Sequence, residues 1–191
     1  MTNRLPQILL IATFLPACWL LMQAVHELGH VAASLATGGK VAKVVLHPLA
    51  ISRTDTSGSR EPLLVVWAGP VVGIGLPLVM LGIAKAAKWK WTYLAAFFAG
   101  TCLIANGAYI GVGSFQRVGD AGDMIRLGSP IALLWLFGLT AVPTGIWLWN
   151  GLGASFGLGR AGGKIDLAAA WFSSGLLLAT VAVEVTFSAS Q

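Results

Sequence analysis

The stretch LPQILLIATFLPACWLLMQAVHELGHVAASLATGG, residues 5–39, decides how this chain is read. It is apolar for longer than a bilayer requires, yet it carries His26-Glu27-Leu28-Gly29-His30 near its end. No residue from Leu5 to Val25 is charged, and none from Val31 to Gly39. In a helix, positions i and i+4 share a face, so His26 and His30 can grip one metal ion. Glu27 sits one step round and can reach a water on that ion as general base. Ionisable groups are costly in an apolar segment and are read as functional.

Composition agrees with a membrane setting. Of 191 residues, 57% are hydrophobic and only 10% are charged, against about 25% charged in a soluble domain. The mean hydropathy is +0.81. These values predict an all-α polytopic membrane protein, one domain over 1–191, with a core over 6–128 and additional helices over 130–191. The net charge is +5, with basic residues mostly in connecting segments. That suits the anionic head groups of a lipid bilayer. No dense basic cluster with interleaved aromatics exists, which argues against nucleic acid. Cys18 and Cys102 lie in apolar runs and read as packing residues, not as a disulfide. Leu15-Pro16-Ala17-Cys18 faintly resembles a lipoprotein cleavage box, but the apolar run continues past Cys18, so the segment reads as a retained helix.

Five apolar segments approach the ~20 residues that a span needs. They run from Pro6 to Thr37, Pro62 to Ala84, Trp91 to Val112, Ile131 to Trp149 and Leu167 to Phe187. The first is overlong, which calls for tilt or a kink at Pro16. Trp89, Trp91, Trp147 and Trp149 lie at segment ends, as interfacial tryptophans do. Lys40 to His47 is β-branched and roughly alternating, and reads as a strand stopped near Pro48. Asp55 to Ser59 reads as a turn, so a small membrane-associated β-hairpin follows the first helix. Gly69-xxx-Gly73 and Gly107-xxx-Gly111 would let helices approach closely. Lysines and arginines divide six and six between the two sides, so they do not fix the orientation.

A catalytic zinc usually takes three protein ligands and leaves a fourth position for water. His26 and His30 supply two. His47 and Cys102 are candidates for the third, but Asp120 and Asp123 are better placed, at the approach to the fourth span. The same aspartates could instead serve a helix start, Asp120 as cap and Asp123 in the first turn with Arg126 on its face.

Read in order, His26-Glu27-Leu28-Gly29-His30, Ala68-Gly69-Pro70, then Asn106 followed by Asp120-Ala121-Gly122 resemble the motifs of the site-2 protease family of intramembrane zinc metalloproteases. The resemblance covers roughly residues 10 to 128. It implies Zn2+ held by His26, His30 and Asp120; Asp123, the alternative third ligand on the residues alone, falls where the family has a variable helix residue. It implies Glu27 as general base and Asn106 as a residue holding substrate or oxyanion. The strand from Lys40 to Ile51 would present substrate in extended form. It further implies a membrane protein or peptide as substrate and a multi-pass protein of a bacterial cytoplasmic membrane. The chain departs from the pattern at Tyr109, where the family has proline, and at Gly73, where it has asparagine. Fourteen residues separate Asn106 from Asp120, more than usual. Two other readings compete: a proteolytically silent scaffold or partner-binding protein that keeps the metal site, and a membrane-anchored peptidase acting at the interface on soluble peptides.

Overall fold

The computed structural model describes residues 4–189, so the outermost residues of the domain expected over 1–191 lie outside the described residues. The order is α1 (Leu5–Ala36), β1 (Lys40–Val45), β2 (Arg53–Ser57), α2 (Pro62–Ala86), α3 (Thr92–Gln116), α4 (Gly119–Arg126), α5 (Ile131–Trp149), two short 3-10 turns and α6 (Leu167–Ala189). Five of these helices are long and apolar enough to cross a membrane, in the places the hydropathy predicts. Pro6 and Pro62 sit in the first turns of α1 and α2, where a missing N–H costs nothing. Gly38, at φ +78°, ends the first span with a backbone that side chains rarely adopt.

The bundle is organised around two stripes. On α1, Leu10, Phe14, Cys18 and Met22 are buried at intervals of four; on α3, Leu94, Phe98 and Cys102 are buried at the same interval. The two sets form one cluster, completed by Phe156 and by Ala169 and Ala170 of α6. Both cysteines are free and buried, as packing residues. Continued by the same step of four, the α1 stripe reaches His26 and His30, and the α3 stripe reaches Asn106, Ile110 and Ser114, all buried. The polar site is therefore the upper end of the hydrophobic seam. α5 lies close against α3 because Gly107, Gly111 and Gly138 meet without side chains.

β1 and β2 form an antiparallel hairpin, with Val44 opposite Thr54 and Val41 opposite Thr56. The hairpin is where expected, but its reversal is not. Asp55 to Ser57, read above as part of a turn, are strand β2; the chain reverses between Leu46 and Ser52, around Pro48. The physical reason is that Thr54 and Thr56 alternate inward along β2, with Arg53 and Asp55 outward, which favours an extended backbone.

Candidate metal centre

His26 and His30 project from the last third of α1. His26 lies ten residues before the helix end, about 15 Å by helical rise. The site is thus well inside the helix but nearer the hairpin side of the bundle. Both imidazoles are buried.

Each ring is oriented through its Nδ1. His26 Nδ1 donates to Asn106 Oδ1 at 2.6 Å, and His30 Nδ1 donates to the Val65 carbonyl of α2 at 2.8 Å. The Asn106 amide cannot turn without loss, because its Nδ2 donates to the Cys102 carbonyl at 2.9 Å. With protons on both Nδ1 atoms, the Nε2 atoms carry the ring lone pairs, the tautomer a metal ligand needs. These Nε2 atoms are 3.0 Å apart. Asp120 Oδ2 lies 2.8 Å from His26 Nε2 and 3.3 Å from His30 Nε2.

Donor atoms around a tetrahedral zinc at about 2.0–2.2 Å stand about 3.3–3.6 Å from one another. The three edges found here are that length or a few tenths of an ångström shorter. A slight opening of the trio seats such an ion, so this set could hold a metal. Burial by itself would raise the pKa of Asp120, but in the metal-free site an imidazole that carries a proton on Nε2 donates to the carboxylate, and this bond with the charge of His26 and His30 holds the carboxyl far below its ordinary range; a metal would take the place of that proton. The group is anionic, as a metal ligand must be.

The structure separates the two aspartates. Asp123 pairs with Arg126 at 2.6 Å and is half-exposed at the rim of the same cavity, outside the trio of donor atoms. Asp120 is not the cap of α4, since Val118 holds that position; it is an early residue of the helix, facing inward. His47 sits in the hairpin loop, where its Nδ1 accepts the Leu49 N–H. Cys102 is buried in the seam one turn below Asn106.

α2 crosses this centre on glycines. A Cβ on Gly69 would overlap the rings of His30 and His26, and one on Gly73 would sit 2.8 Å from Asn106 Oδ1. Gly29 meets the Ala68 carbonyl in the same crossing. The Gly69-xxx-Gly73 pair read above as a helix-packing device is therefore also the wall of the site.

Glu27 is buried beside the pair of histidines, facing the hairpin. Ser52 Oγ donates to its Oε1 and Thr54 Oγ1 to its Oε2, each at 2.7 Å. The Ser52 N–H donates to Gln23 Oε1 at 3.0 Å, one turn earlier on α1. Gln23 and Ser52 leave no signal in the local sequence, because they act across 25 to 29 residues. Thr54 alone had a signal, as an inward position of an alternating segment.

A cavity of about 620 Å³ opens onto these groups. Glu27, both histidines, Asn106 and Asp120 border it, with Trp19, Met22, Val65 and Val66 as apolar walls. Residues 51–56 all border it consecutively. A strand presents alternate residues from a face, so an unbroken run means that the edge of β2 faces the cavity.

A family model described as Peptidase M50B-like matches residues 7–113, more than half of the chain. No curated protein and no solved structure matches significantly. The matched stretch includes His26, Glu27, His30, Gly69 and Asn106 but ends before Asp120.

Proposed function

Because this chain belongs to the Peptidase M50B-like family, we propose that it is an intramembrane zinc metalloprotease hydrolysing a peptide bond in or near a transmembrane segment. The observation that carries this reading is the convergence of two imidazole Nε2 atoms and one carboxylate oxygen within 3.3 Å, with Glu27 beside them and a cavity over all four. His26, His30 and Asp120 would be the zinc ligands. When bound there, the ion supplies Lewis-acid activation of water and of the scissile carbonyl.

The remaining chemistry belongs to the chain. Glu27 takes the proton of a cavity water and delivers it to the leaving nitrogen. A carboxylate has about four lone-pair sites; Ser52 and Thr54 occupy one on each oxygen, leaving room for that water. Asn106 holds His26 by its Nδ1 and is anchored to the Cys102 carbonyl through one Nδ2 proton, and its second Nδ2 proton is left for substrate or oxyanion at the cavity it borders. The exposed edge of β2 offers backbone partners to an extended peptide, which replaces hydrogen bonds that a substrate helix loses on unwinding. Five spans and the family together make this an integral membrane protein.

The test is Glu27→Gln in the native host, with membrane proteins compared for products that vanish and precursors that accumulate. Zinc is retained and turnover falls by about 10²–10⁴-fold, the usual worth of a general base. Unchanged proteolysis would remove Glu27 from that role. Stoichiometric zinc in the wild type without any cleavage difference would favour the silent scaffold.

A further inference from the structure

Asp120 belongs to the second position of α4, yet nothing in its own segment holds the start of that helix. The first N–H groups of a helix lack internal partners, and a Ser, Thr, Asp or Asn at the N-cap normally accepts one of them. Here the N-cap is Val118, whose side chain has no acceptor and makes no such bond. The Asp120 N–H instead donates to the hydroxyl of Tyr109, on α3, at 3.2 Å. A missing cap is thus supplied from a neighbouring helix, and it acts on the amide of the residue whose carboxylate meets the imidazoles.

Two further observations fix the arrangement. Gly119 has φ +55°, and a Cβ there would overlap the Tyr109 hydroxyl, so the turn closes down on that oxygen only because position 119 has no side chain. The Tyr109 ring also stands edge-on to His26, with centroids 6.0 Å apart and planes at 72°. Tyr109 follows Asn106 by three residues, on the same face of α3. From one helical turn, α3 therefore holds His26 by its Nδ1 and Asp120 by its backbone.

We propose that Tyr109 is a positioning residue for the third metal ligand: its hydroxyl caps α4 and sets where the Asp120 carboxylate stands relative to His26 and His30. This rests on the metal reading above. A phenylalanine keeps the ring against His26 but leaves the Asp120 amide without its acceptor. Asp120 then loses its fixed direction, and the trio of donor atoms loosens.

The experiment is competition for zinc between a chelator and the purified full-length protein in detergent, which needs no substrate. Tyr109→Phe binds zinc about 10- to 100-fold more weakly, the usual loss when an outer partner of a ligand is removed. Tyr93→Phe, at the other tyrosine of the chain, changes nothing. Gly119→Ala weakens zinc by pressing a methyl on the hydroxyl, and costs less in the Tyr109→Phe background, where that oxygen is absent. Thermal unfolding of the metal-free variants separates this from a general loss of structure, which would lower stability without a selective effect on zinc. Tyr109→Phe binding within twofold of wild type, or Gly119→Ala costing the same in both backgrounds, overturns the proposal. A wild-type protein that takes up no zinc overturns the metal reading itself, a separate result.

Discussion

Replacing Gly69 with alanine should empty the metal centre of a bundle that still folds. The added Cβ would fall 2.9 Å from His26 Nε2 and closer still to the ring of His30. Carbon and nitrogen at rest sit roughly 3.5 Å apart, so the His30 ring must retreat by about 1 Å or α2 must back away by as much. Metal sites tolerate about 0.2 Å in each ligand distance, and the required shift is about five times that. The ring cannot simply swing, because its Nδ1 is tied to the Val65 carbonyl of the same helix that brings the methyl. Zinc affinity should therefore fall by at least about 100-fold, the upper end of what losing an outer partner costs. Overpacking should lower stability by only about 1–3 kcal/mol. The internal control is Gly75→Ala, further along α2, where a Cβ meets nothing within 4 Å. That change should leave zinc untouched and add about 0.5–1 kcal/mol through helix propensity. The assay is chelator competition alongside thermal unfolding of metal-free protein. Equal zinc affinity in Gly69→Ala and Gly75→Ala would refute the claim that α2 passes against the imidazoles.

The hairpin offers a second handle. Ser52→Ala with Thr54→Val removes both hydroxyls from Glu27, each a hydrogen bond to a charged group worth about 1.5–3 kcal/mol; turnover should drop about 10- to 100-fold at unchanged zinc content, and Thr54→Ser should restore much of the Thr54 share. If zinc and turnover fall together, the hydroxyls serve the fold and not the base. At the opposite end of the bundle, Asp166 is exposed and has its pKa lowered by the Trp91 indole, the Ala168 N–H and the Lys90 charge. A depressed carboxyl contributes stability above its unfolded pKa and loses it as pH falls through the folded value. The unfolding temperature of wild type should therefore exceed that of Asp166→Asn near neutral pH, and the two should converge below about pH 4. A gap that is constant with pH would exclude the ionised carboxylate as its source.

Which parts of this site were legible in the sequence follows from how far each partner lies along the chain. His26, Glu27 and His30 form a local pattern, and helical geometry alone puts the two rings together. The five spans are equally local, since length and apolarity define each one. The hairpin reversal was misplaced because Asp, Ser and Gly at 55–59 favour turns, while the inward docking of Thr54 on Glu27 favours a strand. That contact is 27 residues distant in sequence and leaves no local trace.

Asp120 and Asp123 are an intermediate case, in which a local rule distinguishes the two carboxylates. Arg126 stands three residues after Asp123 and pairs with it, as i and i+3 charges on a helix do. That pairing engages Asp123 and leaves Asp120 without a cation of its own, so Asp120 is the carboxylate free to turn inward. Asn106 was readable too: steps of four from Leu94 through Phe98 and Cys102 arrive at it, just as steps of four from Leu10 arrive at His26. The two departures noted with the resemblance above, at Tyr109 and in the Asn106-to-Asp120 spacing, meet at one contact. The extended Asn-to-Asp spacing requires a turn through Arg117 and Gly119, both at positive φ, and the turn delivers Asp120 to α4 without a cap. Proline at position 109 would have no hydroxyl to receive that amide; tyrosine does, at 3.2 Å. The residue that departs from the pattern is thus the one that lets the longer connection return its carboxylate to the histidines.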